Sequence, residues 1–341
     1  MTQTDTAAAA AATIPGLVLR PYAGPADHAA IVRIQNAEYA ADGVRGRTSV
    51  PELDAWLGHP SDQFDPARDL RIAELDGRPV AVAWTDWVDT NDGLRDYRTH
   101  GQVEPDARRR GIGTALFTDS VRRLEAIAAG HDTERPRVLS TYTEDTSPGA
   151  PILVGSFGLE PVRWFFDMER SLLGALPAAP ALPDGIEVRA VGPDDGPAIW
   201  RADFEAFQDH WGGHDPSEAA YLRWFESPEF EPSLFVIAYD GPEIAAGVLN
   251  VIADHENTDL GIKRGWLDSV FTRRAWRRRG LARALILRSF VLLRERGMEI
   301  AALGVDADNP SGALGLYESV GFAVTARVTA WRKPMATDRA D

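Results

Sequence analysis

The chain has no cysteine among its 341 residues. That excludes a disulfide framework, a cysteine nucleophile and a thiolate metal site. Its seven histidines show no H-E-x-x-H spacing, so no metal is expected. Long apolar runs are missing too, and none approaches the roughly 20 residues needed to cross a bilayer. Near the start, Asp5 is the only charged side chain before Arg20. Without a basic n-region or a leucine-rich core, this stretch does not read as a secretory signal. A disordered tail over residues 1–15 and a cytoplasmic location are expected. Positive charge is scarce: 36 Lys+Arg face 51 Asp+Glu, a net charge of −15. Such a surface repels phosphate backbones and argues against nucleic-acid binding unless the basic residues cluster. What remains is an ordinary globular composition, 44% hydrophobic, and at about 150 residues per domain the length predicts two domains.

A repeat sharpens that count. Gly16-Leu-Val-Leu-Arg20 returns as Gly185-Ile-Glu-Val-Arg189, and Arg108-Arg-Arg-Gly111-Ile-Gly113 returns as Arg277-Arg-Arg-Gly280-Leu-Ala282, each 169 residues later. Ser156-Phe-Gly158-Leu159 likewise parallels Ser319-Val-Gly321-Phe322. The same landmarks in the same order mark a duplication. A Pro/Ala stretch, 171–185, reads as a semi-rigid linker between halves 16–170 and 186–334.

Both halves follow one pattern. A short strand comes first, then helical segments at Ala26–Tyr39 and Val50–Leu57, or Gly196–Phe207 and Ser217–Phe225. Two strands follow, joined at Asp76-Gly77 or Asp240-Gly241, a hairpin signal. A further strand, Tyr97–Val103 or Gly265–Thr272, runs into the arginine-glycine loop. A long helix and another strand come next, and a short helix and a hairpin are expected to close each half. One strand–helix–strand crossover among hairpins predicts a mixed α/β sheet in each half.

The arginine-glycine loops carry the chemistry. A strand ends, the chain turns, and a helix begins at small residues, leaving unpaired N–H groups at the positive helix end. Gly280 and Ala282 let a phosphate approach the backbone, with Arg277, Arg278, Arg279 and Arg283 around it. This spacing is neither a P-loop nor a dinucleotide fingerprint. It resembles the Arg/Gln-x-x-Gly-x-Gly/Ala signature of the GNAT (GCN5-related) N-acetyltransferases, and Val103-Glu-Pro105 precedes the first copy as that family often has it. In the second copy, Thr272 and Arg274 replace the usual Val and Pro.

The resemblance implies two tandem GNAT-like domains and acetyl-CoA as cofactor. It assigns the backbone of Val270, Phe271 and Thr272 to the pantetheine arm, and Arg277 through Arg279, Gly280, Leu281, Ala282 and Arg283 to the pyrophosphate. In the first half it assigns Val103, Arg108, Arg109, Arg110, Gly111, Ile112 and Gly113 likewise. A second block, Asp306-Ala-Asp-Asn309 to Tyr317 and Gly321-Phe322, matches the family's fifth strand and fourth helix. Asn309 is expected to cap that helix and to face the cofactor, with Tyr317 protonating the departing thiolate. In the first half Thr146 stands for Asn309 and Val154 for Tyr317. Valine cannot donate a proton, so the first half is expected to be degenerate and the second catalytic.

An amine acceptor must lose a proton before it attacks the thioester. Asp268 is the candidate base. By period-2 alternation it is expected to face opposite to Leu267 and Ser269. Asp203, Glu205, Asp209, His210, Trp211 and His214, with Glu256 and Asn257 in a predicted loop Asp254–Gly265, are candidates for the acceptor pocket. Carboxylates beside an aromatic suit a small polar amine. The expected enzyme transfers acetyl directly in a ternary complex, as a monomer or homodimer, without nucleic-acid or membrane partners. The alternative is a non-catalytic acyl-CoA-binding or interaction module.

Overall fold

Every strand that the apolar runs predict is present in a computed structural model, which describes residues 14–213, 215–309 and 312–335. Nearly all of the expected tail lies outside the described residues. The first half runs through β1 (Leu17–Pro21), α1 (His28–Asp42), α2 (Val50–Gly58), α3 (Pro66–Asp69), β2 (Leu70–Leu75), β3 (Arg78–Asp89), β4 (Arg95–Val103), α4 (Ile112–Ala129), β5 (Arg137–Glu144), α5 (Ala150–Ser156) and β6 (Glu160–Ser171). The second runs through β7 (Ile186–Arg189), α6 (Gly196–Phe207), α7 (Glu218–Phe225), β8 (Val236–Asp240), β9 (Glu243–Val251), α8 (Asp254–Leu260), β10 (Arg264–Thr272), α9 (Leu281–Glu295), β11 (Ile300–Asp306), α10 (Ala313–Ser319) and β12 (Ala323–Pro334).

Local chemistry sets many of these bounds. Ser49 and Glu52 form a reciprocal capping box at α2, which satisfies two otherwise orphaned N–H groups. Helix α4 buries Ile112, Ala115, Leu116, Val121, Leu124 and Ala128, one stripe at helical spacing. Helix α9 does the same with Leu281, Ala284, Leu285, Phe290 and Leu293. Among the described residues, no helix is long and apolar enough to cross a membrane.

The chain forms two compact units whose limits differ from the repeat seam. One unit holds the described residues up to Arg163 and from Val328 onward, and the other holds Trp164–Arg327. In the first, the sheet order is β1-β2-β3-β4-β5-β12; in the second it is β7-β8-β9-β10-β11-β6. Each half therefore gives the end of its closing strand to the other half's sheet. Phe165–Ser171 of β6 pair antiparallel with β11, and Val328–Pro334 of β12 pair antiparallel with β5. The expected closing hairpins are absent. Glu160–Ser171 and Ala323–Pro334 are single twelve-residue strands with no internal glycine or interior proline turn to fold them back.

Two further expectations are corrected. The 171–185 stretch belongs to the second unit: Leu172 is fully buried there, with Leu176, Ala179 and Leu182 packed on the same core. Arg288 and Arg294 of α9 donate to the carbonyls of Pro180 and Gly174. The predicted loop after Asp254 contains α8, a helix without apolar periodicity. Its acidic first turn suits the helix dipole, and Gly261 ends it in the left-handed conformation at φ 64°.

Candidate active site

The two parallel strand pairs place the loops. In the second unit β10 and β11 pair only over Arg264–Trp266 and Ile300–Ala302, after which the strands part. In the first, β4 and β5 pair over Arg95–Arg98 and Arg137–Ser140. Each parting point leads to an arginine-glycine loop and the N-terminus of a long helix.

Both loops have the same backbone. Arg278 and Gly280 take φ values of 63° and 80°, and Arg109 and Gly111 take 62° and 83°. Such pairs of left-handed residues turn successive N–H groups toward one concavity. No side chain caps α9 or α4, so the first-turn amides are left for an anion. A Cβ on Gly280 would meet nothing within 4 Å. Arg278, Arg279, Arg109 and Arg110 are exposed around these turns. The residues present fit a pyrophosphate.

The first arginine of each triplet does a different job. Arg277 donates to the carbonyls of Thr272 (3.1 Å) and Ala206 (3.0 Å) and to Asp209 (3.0 Å). Arg108 repeats this with the Val103 carbonyl (3.2 Å), Asp42 (2.6 Å) and Glu38 (3.2 Å). Both tie the loop back to the unit's first helix. Arg283 reaches Ser319 Oγ at 2.7 Å. Leu281 is core, as is the Phe271 side chain, so these two could contact a ligand only through backbone. Ile112 is buried beneath the other loop, and Gly113 packs on Leu153 and Val103. Val270 packs on the α9 core, Ala282 is half-buried, and the Thr272 hydroxyl is buried without a partner among the described residues.

The acid and base candidates lie past the parting point. Tyr317 is 7% exposed and packs with Leu303, Val305 and Phe322. Burial pushes its phenol up to about 12, so it stays protonated at neutral pH. Helix α10 begins later than expected, with Gly312 at its cap; the Asn309 amide instead closes a turn on the Asp306 carbonyl at 3.1 Å. Pro310 lies outside the described residues.

Asp268 is the extra residue of a β-bulge. The β10–β9 register shifts between Leu267 and Ser269. This overturns the simple alternation. Leu267 lies in the core beneath α9 while Phe271 lies in the core beneath α6, and the Ser269 hydroxyl bonds Asp203 on α6. The inserted residue has reversed the facing of everything after it. The Asp268 charge helps raise the Asp203 carboxyl. Asp268 is exposed, and desolvation by the surrounding chain raises its carboxyl.

The proposed acceptor cluster is divided. Asp209 is held by Arg274 and Arg277, and those hydrogen bonds pull its carboxyl below the usual range. His210 packs at a tilt against Phe207, and Trp211 against Phe165. His214 lies outside the described residues. Glu256 is buried and accepts from Arg264 (2.8 Å) and Trp266 (3.0 Å); Asn257 brackets the Arg264 backbone. These last two brace the base of β10. The first unit adds a feature that its sequence did not signal. A cleft of about 600 Å³ runs from Arg109 and Gly111 past Thr141 and Tyr142 to Val154. Glu38 lines it, raised to about 7 by burial.

A parted parallel strand pair, a left-handed loop and a helix N-terminus define an acyl-CoA-type transferase fold. The acetyltransferase (GNAT) family model matches residues 197–322. A mycothiol acetyltransferase of Geodermatophilus obscurus is 31% identical over 91% of this chain and 95% of that protein. A GCN5-related N-acetyltransferase from Sphaerobacter thermophilus matches with a TM-score of 0.68 at 27% identity, covering 94% of this chain and 96% of that one. A tandem GNAT protein of the clavulanic acid pathway shares the fold at a TM-score of 0.68 and 16% identity, covering 94% and 100%. The chain belongs to the GNAT acetyltransferase family and is an acetyltransferase of tandem layout, similar to mycothiol acetyltransferases.

Proposed function

We propose that the second unit transfers acetyl from acetyl-CoA to the amine of a small polar acceptor, directly, within a ternary complex. One observation carries the reading: just past the point where β10 and β11 part, β10 carries Asp268 at a bulge, and Tyr317 lies in the same buried core as Leu303 and Val305 of β11. Acetyl-CoA supplies an activated acyl group on a sulfur that leaves as a thiolate. The Gly280–Ala282 amides, with Arg278 and Arg279, hold its pyrophosphate. Asp268 accepts the proton that the acceptor's ammonium must lose, its carboxyl raised by desolvation. Tyr317 holds a proton at its phenol oxygen for the leaving sulfur and recovers one as the second amine proton departs. No net charge then remains in the cleft.

The relatives' name directs the choice of acceptor to test, mycothiol lacking its acetyl group. Mass spectrometry of the product after incubation with acetyl-CoA is expected to show one added acetyl. No acetylated product from this acceptor or from a panel of amino sugars would overturn the reading. With thiol-free acceptors, a thiol reagent reports released CoA without background, because the chain has no cysteine. The first unit keeps the loop and a cleft of about 600 Å³ but has Val154 in place of the phenol. It is read as a CoA-binding unit that does not transfer. Calorimetry of the full chain is expected to show two sites for acetyl-CoA, and a single site would remove this assignment.

A further inference from the structure

The exchange of closing strands carries a carboxyl onto the open face of the second unit. β6 pairs antiparallel with β11, with Asp167 opposite Gly304, and directly opposed residues share a face. The α9 face is closed at this level, because Phe166, Met168, Leu303 and Val305 belong to the core there. By alternation Asp167 and Gly304 lie on the other face, and the Asp167 Oδ1 stands 3.8 Å from where a Cβ on Gly304 would be. Gly304 is two residues past Ala302, the last β11 residue paired with β10, just as Asp268 is two past Trp266. Although β11 has a strand on either side, Gly304 is exposed. The parted strands leave a notch there, with a carboxyl beside it.

We propose that the Asp167 carboxyl and the notch over Gly304 form a subsite for hydroxyl groups of a polyhydroxylated amine acceptor, which makes Asp167 a specificity-determining residue. This rests on the acetyl-transfer reading above.

Three observations support the subsite. First, the Asp167 carboxyl has no hydrogen-bond or ion-pair partner among the described residues; only its backbone carbonyl accepts, from Thr325 at 3.2 Å. The neighbouring charges are committed to one another. Arg264 is held by Glu169 at 2.9 Å and Glu256 at 2.8 Å, and Trp266 donates to Glu256 at 3.0 Å. Burial raises the Asp167 carboxyl, with Glu169 and Glu256 adding to it against the pull of Arg264. A half-buried carboxyl without donors is costly, and ligand O–H groups supply the donors it lacks. Second, Phe165 follows on the same face of β6 and packs against Trp211, with ring centroids 5.8 Å apart. An aromatic wall beside one polar group is the mixed lining of a small-molecule site. Third, the first unit does not repeat the arrangement. Asp167 and Ala330 are each the eighth residue of a twelve-residue closing strand, but Ala330 stands opposite Tyr142. There the carboxyl is a methyl group, and a phenol ring takes the position that Gly304 leaves open.

The test uses the full chain, acetyl-CoA and mycothiol lacking its acetyl group, a polyhydroxylated amine. Asp167→Ala should raise the acceptor KM about tenfold, the size of a lost hydrogen bond to a charged group. Asp167→Asn should raise it about threefold, because an amide oxygen still accepts from hydroxyls. Gly304→Ala adds one methyl group at ordinary contact distance from the carboxyl and should raise KM about tenfold by filling the notch. In all three, kcat and the acetyl-CoA Kd should stay within about twofold, the signature of lost acceptor binding. An unmoved KM in Asp167→Ala and Gly304→Ala overturns the proposal, as does a KM rise matched by loss of acetyl-CoA binding. An Asp167→Asn variant as impaired as Asp167→Ala overturns the assignment to hydroxyls. If Asp167→Ala does not fold, Asp167→Asn and Gly304→Ala decide. An inactive wild type with this acceptor counts against the acetyl-transfer reading and, with it, this one. An active wild type with unmoved variants counts against this proposal only.

Discussion

The two units hold the same loop on the same pair of left-handed residues, yet their fourth strands, each nine residues long, differ in register against the neighbouring strand. In the first unit β4 pairs with β3 from Ala81↔Val103 to Asp89↔Arg95 without a register shift. Alternation is therefore strict along it. His100 stacks with Trp84 and Tyr142 on one face, while Tyr97 and Val103 pack on the α4 side. In the second unit the bulge at Asp268 turns the Ser269 side chain to the α6 face. Burial pushes His100 down to about 4, so the corresponding face of the first unit carries a neutral ring. The loop backbone survives in both units. Under the proposed reading, the proton-handling side is built in one. On that reading, donor recognition depends on local backbone conformation, which duplication copies easily, whereas proton handling depends on one register shift and one phenol.

The largest expected effect tests that division at the phenol. Tyr317→Phe should lower kcat by about 10²–10³-fold, the range for losing a general acid, with the acetyl-CoA Kd unchanged. Steady-state kinetics with calorimetry checks both parts. Adding Val154→Tyr to that variant should restore nothing, because the first unit lacks the bulged carboxyl; recovered turnover would break the comparison. Asp268→Asn should come next, at about 10²-fold in kcat/KM for the acceptor. A smaller effect is expected at the loops. Gly280→Ala places a methyl group on a left-handed residue, at about 1 kcal/mol of strain, and toward the phosphate side; acetyl-CoA affinity at the second unit should fall about tenfold. Gly111→Ala should leave turnover unchanged. A Cβ there would approach Ile14 at 3.1 Å, so its effect belongs to packing in the first unit.

Much of this was legible in the chain itself. The 169-residue repeat placed both loops, and the apolar runs placed the strands, because these depend on short-range pattern. The bulge was not legible. Leu267-Asp268-Ser269 reads as ordinary alternation, and the shift appears only against the partner strand β9. The exchange of closing strands escaped for a similar reason: twelve-residue strands are visible in sequence, their partners are not. Helix α8 escaped because capping and a glycine stop form it without an apolar stripe. Arg277 and Arg108 counted as phosphate ligands on charge alone. Their bonds back toward the first helix of each unit depend on acids 66–70 residues away, a separation over which spacing carries no signal.

The smallest effect tests whether the units share a liability despite their different chemistry. Each keeps one carboxyl raised by burial to about 7, Asp203 in the second and Glu38 in the first. Their ordinary values are 3.8 and 4.5. Between those values and 7 the folded protein holds protons that the unfolded chain has released. Stability is therefore fully present at low pH and is lost as pH rises through 7. Each shift corresponds to at most about 3–4 kcal/mol at 1.36 kcal/mol per unit, and solvent contact brings the effective loss nearer 1–2 kcal/mol. Asp203→Asn and Glu38→Gln should each flatten the fall in Tm between pH 5 and pH 8 by a few degrees. Glu38→Gln should also lower Tm at every pH, because Glu38 anchors Arg108 and the Val103 amide. Asp203→Asn should not, since an amide still pairs with Ser269. Equal pH slopes in wild type and both variants would show that neither carboxyl is held protonated by the fold.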